Sequence, residues 1–263
     1  MGKLGLSERQ REHFNKIEDS YEKAVNNPKA RYYRSLVYRQ FFRGTSFDKK
    51  MKSGKTILML EAMCGDGMGR RVVKGIYRNV PLEYEGFDYS EEMVREARRK
   101  YPGLTFYQQD VNEFSSDKKF DVIVLLSGLH HVPSTAESVM KNMYTYLKDD
   151  GCFISVEPTY NFSIVGFIGD RVYKHSKFYD YDSERRFSLK RLNEIYDHAG
   201  FKIEKQFYPG LLGYLLWWFN PYPRILKVGS LNTVKCIYRF ERRIYNSFIG
   251  RKASLATFTM LKK

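Results

Sequence analysis

Leu58-Met59-Leu60-Glu61-Ala62-Met63-Cys64-Gly65-Asp66-Gly67 is the stretch on which the fold turns. An apolar run over residues 56–61 stops at an acid and passes into a turn. There Gly65 and Gly67 let backbone amides approach a ligand with no Cβ in the way. Residues 68–77 then fit a helix. Strand, glycine turn and helix in this order open an α/β sheet, in which ligands bind beyond the C-terminal strand ends at the switch point. The next acid in register is Asp88, closing a second strand over residues 82–88. Its two oxygens form an acceptor pair suited to the two hydroxyls of a ribose.

The pattern continues downstream. Ser90 opens a helix with Glu91 and Glu92 in its first turn, where acids favour the macrodipole, and Met93, Ala97 and Tyr101 share one face of it. Residues 104–109 read as a third strand, and the near-continuous apolar run 120–126 as a strand buried on both faces of a parallel sheet. Ser134 and Glu137 have capping-box spacing ahead of a helix carrying Val139, Met140, Met143 and Leu147, followed by a strand over 152–156. Ser188 caps another helix that ends at Gly200, and strands follow at 201–207 and 255–261. Alternating strands and helices predict an α/β, doubly wound sheet. Residues 1–50 read as an N-terminal helical cap, 51–263 as the sheet domain, and 208–250 as an apolar and basic helical insert before the last strand.

A dinucleotide site would use the same layout, but its G-x-G-x-x-G fingerprint places Arg70 where the third glycine belongs. Glu61 suits a ligand with a cationic ammonium group better than a pyrophosphate. With this, the segment from about residue 56 to 160 resembles the class I S-adenosylmethionine-dependent methyltransferases of small-molecule type. Glu61, Gly65 and Gly67 match the E/D-x-G-x-G-x-G motif, with Met63 in place of its first glycine. Asp88-Tyr89-Ser90-Glu91-Glu92-Met93 is similar to the motif after strand two, and Gln109-Asp110-Val111 to the one after strand three. Residues 120–124 and Ser127-Gly128-Leu129-His130-His131-Val132-Pro133 are similar to the fourth strand and its exit loop, which leaves Asp121 structural.

The resemblance implies a Rossmann-like, seven-stranded fold and S-adenosyl-L-methionine as cofactor. It places Glu61, Ala62, Gly65, Gly67, Asp88, Tyr89, Met93, Asp110, Val111 and Ser127 around that cofactor, with Tyr89 or Met93 flanking adenine. Residues 14–21 resemble the entry helix of small-molecule members, so Tyr21 is expected at the cofactor carboxylate or the substrate. Methyl transfer is an in-line displacement that needs a positioned acceptor and, for a hydroxyl, a base. His130 and His131 leave strand four and Glu157 leaves strand five; these three are the catalytic candidates. A histidine near its ordinary pKa of about 6.5 suits the task, and adjacent histidines point apart, so at most one is the base. His175 and Tyr173 fall in a segment that often closes over substrate.

Three scattered cysteines, with no pair at zinc or disulfide spacing, predict no metal site and a reducing, cytoplasmic setting. No run of about 18 apolar residues predicts a spanning helix. The net charge of +15 invites a nucleic-acid reading. Ten basic residues against Glu241 alone lie in residues 206–263, outside the motifs. There an aromatic stretch, Leu211 to Pro223, precedes a basic helix with Leu231, Val234, Ile237, Tyr238, Ile244, Tyr245 and Phe248 on one stripe. Such an element either packs on the core or lies on an anionic membrane surface. The apolar stretch, the long insert and the closing residues 250–255 also resemble tails of bacterial methyltransferases associated with glycan or lipid pathways, which implies a small molecule, lipid or lipid-linked sugar as acceptor, most simply methylated on oxygen. Nucleic acid is disfavoured because Ser127-Gly128-Leu129-His130 stands where base-methylating enzymes carry N/D-P-P-Y/F. A non-catalytic binding protein is the remaining alternative.

Overall fold

The computed structural model describes residues 27–162, 185–218 and 229–263. Its strands are β1 (Ile57–Ala62), β2 (Leu82–Asp88), β3 (Thr105–Gln108), β4 (Phe120–Leu126), β5 (Leu147–Tyr160), the two-residue β6 (Phe187–Ser188), β7 (Lys202–Phe207) and β8 (Ala256–Lys262). They form one sheet in the order β3-β2-β1-β4-β5-β8-β7, with β6 added to the end of β5. The pairs from β3 to β5 are parallel, whereas β8 runs antiparallel to both β5 and β7. This is the doubly wound, Rossmann-like sheet expected from the sequence.

Local chemistry sets the helices. In α1 (Pro28–Phe42) the Asn27 side chain accepts the Ala30 amide at 3.0 Å, and proline takes the first helical position, where its missing N–H costs nothing. Next come α2 (Ser46–Met51) and α3 (Met68–Ile76). Ser90 caps α4 (Glu91–Lys100) as expected, and Ser188 caps α6 (Leu189–His198). The capping box expected at Ser134 and Glu137 does not form. Between those two helices, α5 (Ala136–Tyr146) has Thr135 at its N-cap with no side-chain bond. Glu137 is drawn off by Lys141 at 3.1 Å, His198 at 3.3 Å and Arg191 at 3.5 Å.

The basic helix also departs from expectation. It splits into α7 (Leu231–Glu241) and α8 (Phe248–Ala253), joined by a turn. A Cβ on Gly250 would lie 1.9 Å from the Ile244 carbonyl oxygen, so α8 rests directly on that turn. Of the stripe, Val234, Tyr238 and Tyr245 are buried, while Leu231 and Phe248 face solvent.

Hydrophobic clusters cover both faces of the sheet. On one face Phe258 of β8 meets Tyr38 and Phe41 of α1 and Trp218 of the insert, with ring centroids 5.2–5.5 Å apart. Cap and insert therefore share one core. Their polar tie is Glu241, which is buried, accepts the Gly213 amide at 2.9 Å, and bonds the Tyr33 and Tyr245 hydroxyls at 3.2 and 3.3 Å. Because Ala256 pairs with Pro158, the insert between β7 and β8 rises from the sheet edge where β1, β2, β4 and β5 end.

Candidate functional site

A pocket opens at the C-terminal ends of β1, β2 and β4, with about 760 Å³ of space, part of it open to solvent. Three segments line it: Glu61, Met63, Cys64, Gly65, Asp66 and Met68 from the first turn; Asp88, Tyr89, Ser90 and Met93 from the second; Leu126, Ser127, Gly128 and His131 from the exit of β4. Among the described residues, the non-glycine positions with positive φ are Met63 at 52° and Ser127 at 57°, both on this wall. L-residues are held in that region only where surrounding structure over-determines them, and such strain gathers at functional sites. Met63 adopts the left-handed conformation that glycine supplies in the motif it interrupts.

Asp88 is fixed from two sides. One carboxylate oxygen accepts the Gly65 amide at 2.8 Å and the other the Ser90 amide at 2.9 Å. Burial pushes its carboxyl above the usual range, while those amides and nearby His131 pull the other way. The Tyr89 amide is a further backbone partner, and the two oxygens remain an acceptor pair of the kind that suits a vicinal diol. Gly65, at φ 51°, faces open space: no atom stands within 4 Å of where a Cβ would be.

Glu61 lies on the wall, but its carboxylate is spent on the protein. It accepts the Gly69 amide at 2.6 Å, the Arg70 amide at 2.9 Å and the Tyr84 hydroxyl at 2.7 Å. Three of about four acceptor positions are thus taken, and the expected ammonium contact becomes secondary to holding the first turn of α3. Burial pushes its pKa up to about 7.

The exit loop separates the catalytic candidates. Glu157 is fully buried under a 3-10 turn over Leu129–His131. Its carboxylate accepts the amides of Gly128, Leu129 and His130 at 3.2, 2.9 and 3.2 Å and bonds the His130 ring at Nδ1, 2.9 Å away. Burial lifts the Glu157 pKa to about 7, against the pull of the loop amides and His131. His130 is buried with it, so neither reaches the pocket. His131 does, its ring tilted beside that of His130 at 4.1 Å between centroids.

Of the residues read from the sequence, the structure gathers Glu61, Gly65, Asp88, Tyr89, Met93, Ser127 and His131 around one pocket. Four expected cofactor contacts lie off the wall. Ala62 is in the core, and Gly67 is buried as the N-cap of α3. Asp110 turns its carboxylate onto the Asn112 amide at 2.8 Å, and Val111 is buried beside it. Tyr21, Tyr173 and His175 lie outside the described residues. The sequence reading missed Cys64, Asp66, Met68, Ser90, Leu126 and Gly128. Of these, Gly128 had a signal as a small residue directly after a buried strand. Asp121 is structural as expected, accepting the Leu58 amide at 2.9 Å.

An acceptor pair for a ribose, an open glycine turn and flanking Met68 and Met93 fit an adenosyl cofactor carrying an amino-acid arm. Comparison with known proteins agrees. Residues 59–151 match a family described as "Methyltransferase domain". A Mycolicibacterium smegmatis protein named "Probable S-adenosylmethionine-dependent methyltransferase" is 26% identical over 147 residues, covering 56% of this chain and 52% of its own. A demethylmenaquinone methyltransferase of Chlorobaculum parvum is 28% identical over 141 residues, covering 47% of this chain and 58% of its own. The chain spans about half the length of these relatives. The solved plantazolicin methyltransferase BpumL, in complex with a desmethyl analogue and S-adenosylhomocysteine, superposes with a TM-score of 0.59. It is 15% identical, over 98% of this chain and 96% of its own, a likeness of fold. Residues 59–151 thus match a methyltransferase domain, and every residue that lines the pocket lies within that stretch.

Proposed function

We propose that the protein transfers a methyl group from S-adenosylmethionine to a hydroxyl of a small or lipid-like acceptor, with His131 as the base. One observation carries the assignment of the base: of three candidate residues, only His131 lines the pocket that also holds Asp88 and the Gly65 turn. When bound, S-adenosylmethionine supplies an electrophilic methyl group on a sulfonium. Asp88 offers its carboxylate oxygens to the ribose, while Met68 and Met93 supply apolar walls. His131 takes the acceptor proton at a ring nitrogen. Glu157 holds the loop that presents His131, without touching the reactants. Cys64, whose thiol burial pushes well above its ordinary range, is no nucleophile.

The preference for a small or lipid-like acceptor draws support from the demethylmenaquinone methyltransferase relative and from the aromatic insert at the catalytic edge of the sheet. The test is labelled methyl transfer into fractionated lipid and small-metabolite extracts, with total RNA alongside. His131→Ala should lower kcat by roughly 10²–10³ while cofactor affinity changes less than about threefold. Full turnover by His131→Ala would remove His131 from the role; label entering only RNA would overturn the acceptor class.

A further inference from the structure

We propose that the solvent face of residues 231–252 docks on an anionic lipid bilayer. Two observations combine there. The segment exposes large apolar side chains to an unusual degree: Phe248 at 78%, Ile249 at 70% and Phe240 at 68%, with Leu231 about half exposed. Interleaved with them, Lys235, Arg239, Arg242, Arg243, Arg251 and Lys252 are all exposed. The segment's one acid, Glu241, is turned inward onto Tyr33, Tyr245 and Gly213. The segment's own outer surface therefore carries six positive charges and no acid, while Glu194 and Asp197 of α6 stand with Lys190 across the cleft that Arg251 and Lys252 border.

Apolar tips set among cations are what an interfacial element requires: the cations draw it to anionic headgroups and the tips enter the acyl boundary. Phe248 and Ile249 head the short α8, and Lys252 Nζ lies 5.8 Å from the Phe248 ring centroid, so apolar tip and charge arrive together. The aliphatic Ile249 and Leu231 favour lipid over nucleic acid, since they have no π-face for a base to stack on. No described helix is long and apolar enough to cross a membrane, so the contact is one of surface docking.

Position gives the surface a use. Phe248, Arg251 and Lys252 also line an open cleft with Tyr160, Asn161 and Phe162, at the C-terminal end of β5, the sheet edge that carries the cofactor pocket. Docking by this face would bring that edge to the bilayer, where a lipid-like acceptor resides. This last step rests on the proposed acceptor class; vesicle binding itself does not.

The test is flotation of the full chain with vesicles of phosphatidylcholine containing about one third phosphatidylserine, beside phosphatidylcholine alone and a single-stranded RNA oligonucleotide. The expected result is association with the anionic vesicles only, falling steeply as salt rises. Arg251→Glu/Lys252→Glu should lower the partition by about thirtyfold, and Phe248→Ser/Ile249→Ser by at least about tenfold, with melting temperatures unchanged because all four side chains are exposed. The proposal is overturned by no association with anionic vesicles, by equal association with neutral ones, by variants that bind like the parent, or by tighter binding to RNA at the same salt. Methyl transfer to an extracted lipid with no vesicle binding would sink this proposal and leave the proposed function standing.

Discussion

Glu157 and His131 divide the work at the residue scale, one holding the β4 exit loop and the other facing the pocket. A glutamine at 157 offers one acceptor oxygen where three amides and a ring nitrogen converge. Its amide nitrogen would then confront N–H groups. Glu157→Gln should therefore lower kcat by on the order of tenfold to a hundredfold through misplacement of His131. The pH–rate profile should shift and the acceptor KM change little; an unchanged profile and rate would show that the loop does not depend on Glu157. Gly128 gives a second test. A Cβ there would lie 2.9 Å from Met63 Sδ and 3.0 Å from Met63 Cβ. Gly128→Ala should weaken cofactor binding by about tenfold, and adding Met63→Gly should restore it, a coupling that isothermal titration of both single variants and the double variant would read. Asp88, Gly65 and His131 were legible as pocket residues because motifs place them just at or after strand ends, and Met93 because the same motif carries it into the first turn of α4. That His130 points inward was not, because which of two neighbours in a 3-10 turn meets a buried carboxylate depends on Glu157, 27 residues away.

At the scale of elements, the β1–α3 unit is held by a close approach as well as by its turn. A Cβ on Gly69 would stand 2.7 Å from the Glu61 carboxyl carbon and 2.8 Å from one of its oxygens. Gly69→Ala should thus force Glu61 off the α3 amides and destabilise the fold by about 1–3 kcal/mol, measured by urea unfolding; a midpoint equal to the parent's would show that the site yields freely. β2 and β4 were legible to the residue, since a strand buried on both faces, or one closed by an acid, marks its own ends. β5 was not: read over 152–156, it runs from Leu147 to Tyr160. The Asp149-Asp150-Gly151 sequence looks like a turn, yet tertiary pairing of Leu147 with Phe120 across a register shift carries the strand through it. The unformed capping box and the split α7–α8 each turn on the partners of an acid. For Glu137 the partners are Lys141 one turn on and, from α6, His198 and Arg191; for Glu241 they are the distant Tyr33 and Gly213.

For the whole molecule, buried carboxylates set the response to pH, with Asp88 and Glu241 raised by burial in the same direction as Glu61 and Glu157, the two largest contributors. Glu61 and Glu157 are pushed from about 4.5 to about 7 by burial. Between those values the folded chain binds more protons than the unfolded one, so stability falls as pH rises from 4.5 to 7 and levels off above. The loss is on the order of 3 kcal/mol per carboxylate. Asp66, held below the usual range by Arg71 and Lys100 despite burial, has the opposite dependence, but its window lies below that of the two glutamates. Urea unfolding at pH 5 and 7.5 should show the fall, and Glu61→Gln should remove one share of it; stability that rises across this interval would contradict the account. The doubly wound sheet and the cofactor class were legible from four motifs at successive strand ends, whereas the strand order and the exposed face of the insert were not, because burial of Glu241 is a property of the assembled core. The central claim, a nucleoside pocket organised by Asp88, is tested most directly by calorimetric titration of S-adenosylmethionine into the parent chain and Asp88→Ala, with circular dichroism to establish that both are folded. The account predicts one site per chain in the parent and affinity lowered by at least about tenfold in the folded variant; no binding by the parent, or equal binding by the two, would contradict it.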